Sequence, residues 1–79
     1  MPTSTPLEQA VRDQLDRYFK DLGGSAPSDM LAMVNLCVER AVLQVALERT
    51  DGNQTRAAEM LGITRGTLRK KLHIHQISA

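Results

Sequence analysis

With 79 residues, 42% of them hydrophobic, the chain has the length of one domain and enough apolar content to fold. Its formal net charge is only +1, but that charge is divided. Residues 1–51 set Arg12, Arg17, Lys20, Arg40 and Arg49 against eight carboxylates, a balance of −3, and residues 52–79 set Arg56, Arg65, Arg69, Lys70 and Lys71 against Glu59 alone, a balance of +4. A single cysteine, Cys37, excludes an intrachain disulfide and a cysteine metal cluster. The opening residues show neither the charge nor the apolar run of a secretory signal, and no apolar run approaches the roughly 18 residues of a membrane span. The expectation is a cytoplasmic protein with no cofactor, no metal, no small-molecule substrate and no membrane association. No paired carboxylates or nucleophile constellation suggest an enzyme, and His73 and His75, two residues apart, do not share a helix face. They read as exposed polar groups at a fraying helix end.

Thr5-Pro6-Leu7-Glu8 opens the first predicted helix: Thr5 can cap it, Pro6 suits the first position where an N–H is not needed, and Glu8 completes a capping box. Leu7, Val11, Leu15, Phe19 and Leu22 then recur at three or four residues and form one apolar face. Gly23-Gly24 ends the helix. Ser25 to Pro27 reads as a connector, Ser28 as the next cap, and Asp29 as a favourable charge at the positive helix end.

The second helix should run from about residue 29 to Arg49 or Thr50. Its apolar positions include Met30, Leu31, Met33, Val34, Leu36, Cys37, Val38, Ala41, Val42, Leu43, Val45, Ala46 and Leu47, too wide a stripe for one partner helix. A chain this short cannot cover it, so the expected solution is a homodimer in which residues 5–50 of two copies interlock through Val34, Cys37, Val38, Ala41, Val42 and Val45. The competing reading is a loosely packed monomer with an exposed patch, which soluble proteins tend to avoid. Cys37 then reads as a small buried thiol. Thr50-Asp51-Gly52-Asn53 is a turn, Asn53 caps a short third helix from Gln54 to about Leu61, and Gly62 ends it. Thr64 caps a fourth from Arg65 to about His75, with Ile63, Leu68 and Leu72 turned inward. No period-two alternation persists, so the fold class is all-α: four helices, the last two forming a helix-turn-helix over residues 53–75.

A helix that reads DNA needs arginines and short polar groups at its N-terminal end, with cations flanking for phosphates. Thr64-Arg65-Gly66-Thr67-Leu68-Arg69-Lys70-Lys71 has this make-up. Arg65 can make a bidentate contact to guanine, Thr64 and Thr67 can reach a phosphate or a thymine methyl, and Arg69 falls on the face of Arg65. Glycine is a poor helix former, so Gly66 suggests that bulk there would obstruct close approach to the duplex. The amides at the start of the third helix, beside Asn53, Gln54 and Thr55, suit a phosphate. Arg56 can add a phosphate contact or pair with Glu59 or Glu48.

The run Gly52-Asn53-Gln54-Thr55-Arg56-Ala57-Ala58, then Leu61-Gly62-Ile63, then Arg65-Gly66-Thr67-Leu68-Arg69-Lys70-Lys71-Leu72 resembles the C-terminal helix-turn-helix of the Fis family, the bacterial factors for inversion stimulation. The same motif type ends many enhancer-binding transcription activators. Upstream the likeness continues through Pro6-Leu7, Tyr18-Phe19 and the long second helix. The resemblance implies a homodimer whose paired recognition helices enter successive major grooves and bend the duplex, selecting sequences that bend easily. It makes Arg65 the base reader and matches Asn53, Thr55, Thr67, Arg69, Lys70 and Lys71 to phosphate or base-edge positions. It also implies a nucleoid-associated transcription regulator, with RNA polymerase as a further candidate partner.

The chain departs from the family pattern at several points. Thr64 stands where the family usually has Asn, so one contact at that position is altered. Ala41 stands where it has a proline, which predicts a straighter second helix. His73 and His75 replace lysines or other residues. Only five residues precede the first helix, where the family carries a hairpin arm that contacts a recombinase, so stimulation of inversion is expected to be absent or altered. The rival readings are a local transcription regulator with few sites, and a helical dimerisation or interaction module whose basic end binds an acidic protein.

Overall fold

The computed structural model describes residues 5–24 and 28–78. Among them the protein is four helices with no strand: α1 (Pro6–Leu22), α2 (Met30–Arg49), α3 (Gln54–Leu61) and α4 (Arg65–Ile74). The expected connector at residues 25–27 lies outside the described residues. The chain divides into two compact units, residues 1–30 and 31–79.

In the first unit, α1 begins as its sequence dictates. The Thr5 hydroxyl accepts from the Glu8 amide at 3.1 Å, and the Glu8 carboxylate accepts from the Thr5 amide, with Pro6 at the first position. Gly23, at φ 61°, closes the helix by donating its N–H to the Lys20 carbonyl. No residue of α1 is buried, and Leu7 and Phe19 stand exposed. Asp29 differs from expectation: it stands ahead of α2 in left-handed backbone (φ 51°), not within the helix's first turn. A short side chain that can bond locally tolerates that conformation better than most.

The second unit holds the core. Leu43, Ala46 and Leu47 from the C-terminal half of α2, Ala57 and Ala58 from α3, and Leu68 and Leu72 from α4 are all buried, with Leu61, Ile63 and Ile77 packed against them. The two alanines let α3 approach closely, and the leucines fill the space between the helix faces. The turn into α3 is fixed by Thr50, whose buried hydroxyl donates to the Ala46 carbonyl at 2.8 Å, and by Gly52, whose amide donates to the Leu47 carbonyl at 2.8 Å. Asp51 and Gly52 are both left-handed, at φ 52° and 81°. Gly62, at φ 77°, returns the chain between α3 and α4.

α2 is long and apolar enough by length and composition to cross a membrane, with a mean hydropathy of 1.6 over its most apolar window. The sequence expectation that no stretch approaches a span is therefore corrected on length and hydropathy. The physical objection to a span is at the middle of the helix, where Glu39 and Arg40 are both bonded to α4 and the residue that caps it. Burying those charges and two polar helices in hydrocarbon would cost several kcal/mol or more. The apolar surface of α2 suits protein contact instead.

Candidate nucleic-acid interface

The site is built by two capped helix starts. The Asn53 side-chain oxygen accepts from the Arg56 amide at 3.0 Å, which opens α3. The Thr64 hydroxyl accepts from the Thr67 amide at 3.1 Å and donates to the Thr67 hydroxyl at 3.0 Å, which opens α4. Each cap satisfies one amide, and the cap carbonyl takes the next, from Ala57 and from Leu68. The amides of Gln54, Thr55, Arg65 and Gly66 have no acceptor among the described residues. Each helix start, with free donors and a positive dipole end, is suited to an anion.

Leu68 and Leu72 turn α4 inward, which leaves Arg65, Gly66, Thr67, Arg69 and Lys70 exposed. Thr55 and Arg56 of α3 are exposed as well. Arg65, Arg69, Lys70 and Arg56 have no carboxylate within ion-pair distance among the described residues. The alternative pairing of Arg56 with Glu59 or Glu48 is thus not made. A Cβ placed on Gly66 would meet nothing within 4 Å, and its φ is not in the left-handed region. Neither backbone conformation nor packing among the described residues requires glycine there.

The structure treats Lys71 differently from its neighbours. It is half-buried, and its ammonium sits 2.8 Å from Oε2 of Glu39 on α2. The other oxygen of Glu39 lies 2.8 Å from Nε2 of His75, whose side chain is only 6% exposed. Arg40, next on α2, donates from its guanidinium to the His75 carbonyl. His73 is exposed as expected, but the reading of His75 as a frayed polar end is corrected. It is the buried C-terminal cap of α4, pinned at ring and backbone. Sequence reasoning missed Glu39 and Arg40 altogether. The available signal was Leu68, Lys71, Leu72 and His75 at helical spacing, which places the lysine and histidine beside the buried leucines.

Hydrogen bonds from Lys71, then from His75, hold the Glu39 carboxyl below its ordinary value and outweigh its partial burial. A carboxylate with a lowered folded pKa stabilises fully above the ordinary carboxylate range. That contribution is lost as pH falls through the lowered value. Glu39→Gln should therefore be less stable than wild type at neutral pH, with the gap closing on the acid side. Denaturant unfolding of both chains from neutral pH to about pH 3 measures it, and a constant gap would show the ion pairs to be energetically silent.

Of the residues expected at a dimer interface, Cys37, Val38, Ala41, Val42 and Val45 are exposed on the single chain and Val34 is half-buried. The thiol expected to be buried is thus open in one copy. Leu31 is 74% exposed on the same helix. An apolar groove of about 350 Å³ runs beside this surface, lined by Ala41, Val42, Val45, Ala46, Met60 and Leu61.

Comparison with known proteins agrees with this architecture. Residues 37–73 match the family model described as bacterial regulatory protein, Fis family. Over 70 residues, 89% of the chain, it is 47% identical to a putative Fis-like DNA-binding protein of Ralstonia nicotianae, 91% of which is covered. Over the same length it is 47% identical to the DNA-binding protein Fis of Proteus vulgaris and 49% identical to that of Yersinia enterocolitica, covering 75% and 71% of those proteins. The helix-turn-helix, its glycine stops and this likeness along most of the chain agree: the protein belongs to the Fis family of bacterial regulatory proteins.

Proposed function

We propose that this protein binds double-stranded DNA with a sequence bias, works as a homodimer, bends its target, and acts in the cytoplasm as a nucleoid-associated transcription regulator. The observation that carries the reading is the surface of α4. Arg65, Arg69 and Lys70 are exposed there with no carboxylate at ion-pair distance among the described residues. The same helix carries Gly66, with open space at its Cβ position, and two amides without acceptors among those residues, and Arg56 on α3 is exposed as well. The names of the relatives, DNA-binding proteins in each case, support it. Arg65 reads a guanine edge, and Asn53, Thr55, Thr64, Thr67, Arg69 and Lys70 bond phosphates or base edges. Dimerisation through Val34, Cys37, Val38, Ala41, Val42 and Val45 supplies two such helices. The uncovered apolar face of α2 favours this, since soluble proteins rarely leave so large a patch bare. The duplex then bends to meet both helices, which gives a preference for flexible sequence steps.

The test is a gel-shift titration against salt. A dimer making six to ten phosphate contacts loses about 10³–10⁵-fold in affinity between roughly 50 and 200 mM salt. Absence of duplex binding at low salt overturns the reading, and binding to an acidic protein alone favours an interaction module. Phased-bend gels report the bending.

Gly66→Ala separates fold from recognition. The added methyl meets nothing within 4 Å among the described residues, so the helix should gain up to about 1 kcal/mol from propensity. If the duplex backbone approaches α4 at this point, affinity should fall while the melting temperature rises. A variant that is more stable and binds equally well would show that the opening at Gly66 is not used.

A further inference from the structure

We infer that Glu39, holding Lys71 and His75 at once, is a positioning residue that fixes how α4 is presented to DNA, and that Lys71 serves this clamp instead of the phosphate backbone. The inference rests on the DNA-binding reading and changes the role that the sequence assigns to Lys71. Three observations carry it. The ammonium of Lys71 is on a carboxylate at 2.8 Å and half-buried, whereas Arg65, Arg69 and Lys70 are exposed and have no ion-pair partner among the described residues. The same carboxylate takes the buried His75 ring through its second oxygen, so one side chain of α2 grips two successive turns at the end of α4. Arg40 adds a third bond, to the His75 carbonyl, where a cation meets the negative end of the helix dipole.

These bonds lie on one side of α4, at its C-terminal half, while Leu68 and Leu72 pack into the core with residues of α2 and α3. Burial of Leu68 and Leu72 sets which face of α4 turns inward, and leaves only small rotations about the helix axis open. Directional bonds from Glu39 and Arg40 narrow those rotations, and so fix how the outward side chains are aimed. The clamp is attached to α2, the helix whose apolar face is proposed to meet the second copy. The spacing of two recognition helices would pass through it.

The probes are a duplex recovered by in vitro selection with the wild-type protein and a scrambled duplex of the same composition. Lys70→Met should flatten the dependence of log affinity on log salt by about 0.9 for each phosphate that is no longer neutralised. Lys71→Met should leave that slope as in wild type while lowering the melting temperature; a slope flattened as much as by Lys70→Met overturns the assignment. Glu39→Gln gives an independent readout should Lys71→Met fail to fold. A released Lys71 that simply joined the phosphate contacts would raise affinity for both duplexes alike and leave their ratio unchanged, which overturns the clamp. A loosened α4 lowers the ratio several-fold, as expected here, and Glu39→Asp should restore part of it. Failure of the wild-type chain to bind any duplex at low salt is a different outcome: it removes the DNA-binding reading itself.

Discussion

Arg65→Ala is expected to weaken binding to a preferred duplex by about 1–3 kcal/mol, roughly 5- to 150-fold, and to level the difference between preferred and unrelated sequences. Arg65 is the first residue of α4, exposed and without a carboxylate partner among the described residues, so its removal leaves the core and the Thr64 cap intact. Its guanidinium presents a planar fork that matches the two acceptors of guanine in the major groove, which no single-point cation can match. The informative contrast is Lys70→Ala. Removing a phosphate partner lowers affinity for every sequence by the same factor, whereas removing a base reader lowers it for some. Competition binding with the two duplexes measures both, and unchanged discrimination in Arg65→Ala would reduce that residue to a phosphate contact.

Val42→Asp should dissociate the proposed dimer. Val42 is 47% exposed on the single chain and lines the groove beside Met60 and Leu61. A carboxylate desolvated at an apolar interface without a partner costs several kcal/mol, and each 1.4 kcal/mol is about tenfold in association. Val42 is not among the buried residues that hold α3 and α4, so the helix-turn-helix should survive the change. Sedimentation should then report a monomer with its helical circular dichroism largely kept, and duplex binding should fall by more than any single contact explains. A Val42→Asp chain that still sediments as a dimer would move the interface elsewhere. A wild-type chain that is already monomeric would remove the need for one.

Helix ends are local chemistry, and for that reason they are legible in local sequence. Thr5 with Glu8, Asn53 before Gln54, and Thr64 before Arg65 each cap within three residues, and Gly23 and Gly62 stop helices through their own backbone. The buried set Leu43, Ala46, Leu47, Leu68 and Leu72 follows from periodicity. Asp29 escapes such reading because the backbone ahead of α2 turns left-handed, which an N-cap motif does not reveal. The clamp is hidden for another reason. Glu39 and Arg40 meet Lys71 and His75 across 32 to 36 positions of chain, and no local pattern specifies which distant charge a lysine will choose. The exposed cations on α4 are visible as a charge run, but the separation of Lys71 from Lys70 requires the fold.

The core of the second unit joins positions 43 to 72, an uninterrupted stretch linked by two tight turns. Contacts so close along the chain form quickly, since little loop entropy is spent before each is made. Association of two chains is slower and depends on how many are present. In the proposed dimer, a newly synthesised copy would therefore complete its helix-turn-helix first and wait for a second copy before the two could engage one site. Abundance itself would then act as a control on occupancy: halving the number of chains would lower the dimer population more than twofold where monomers prevail.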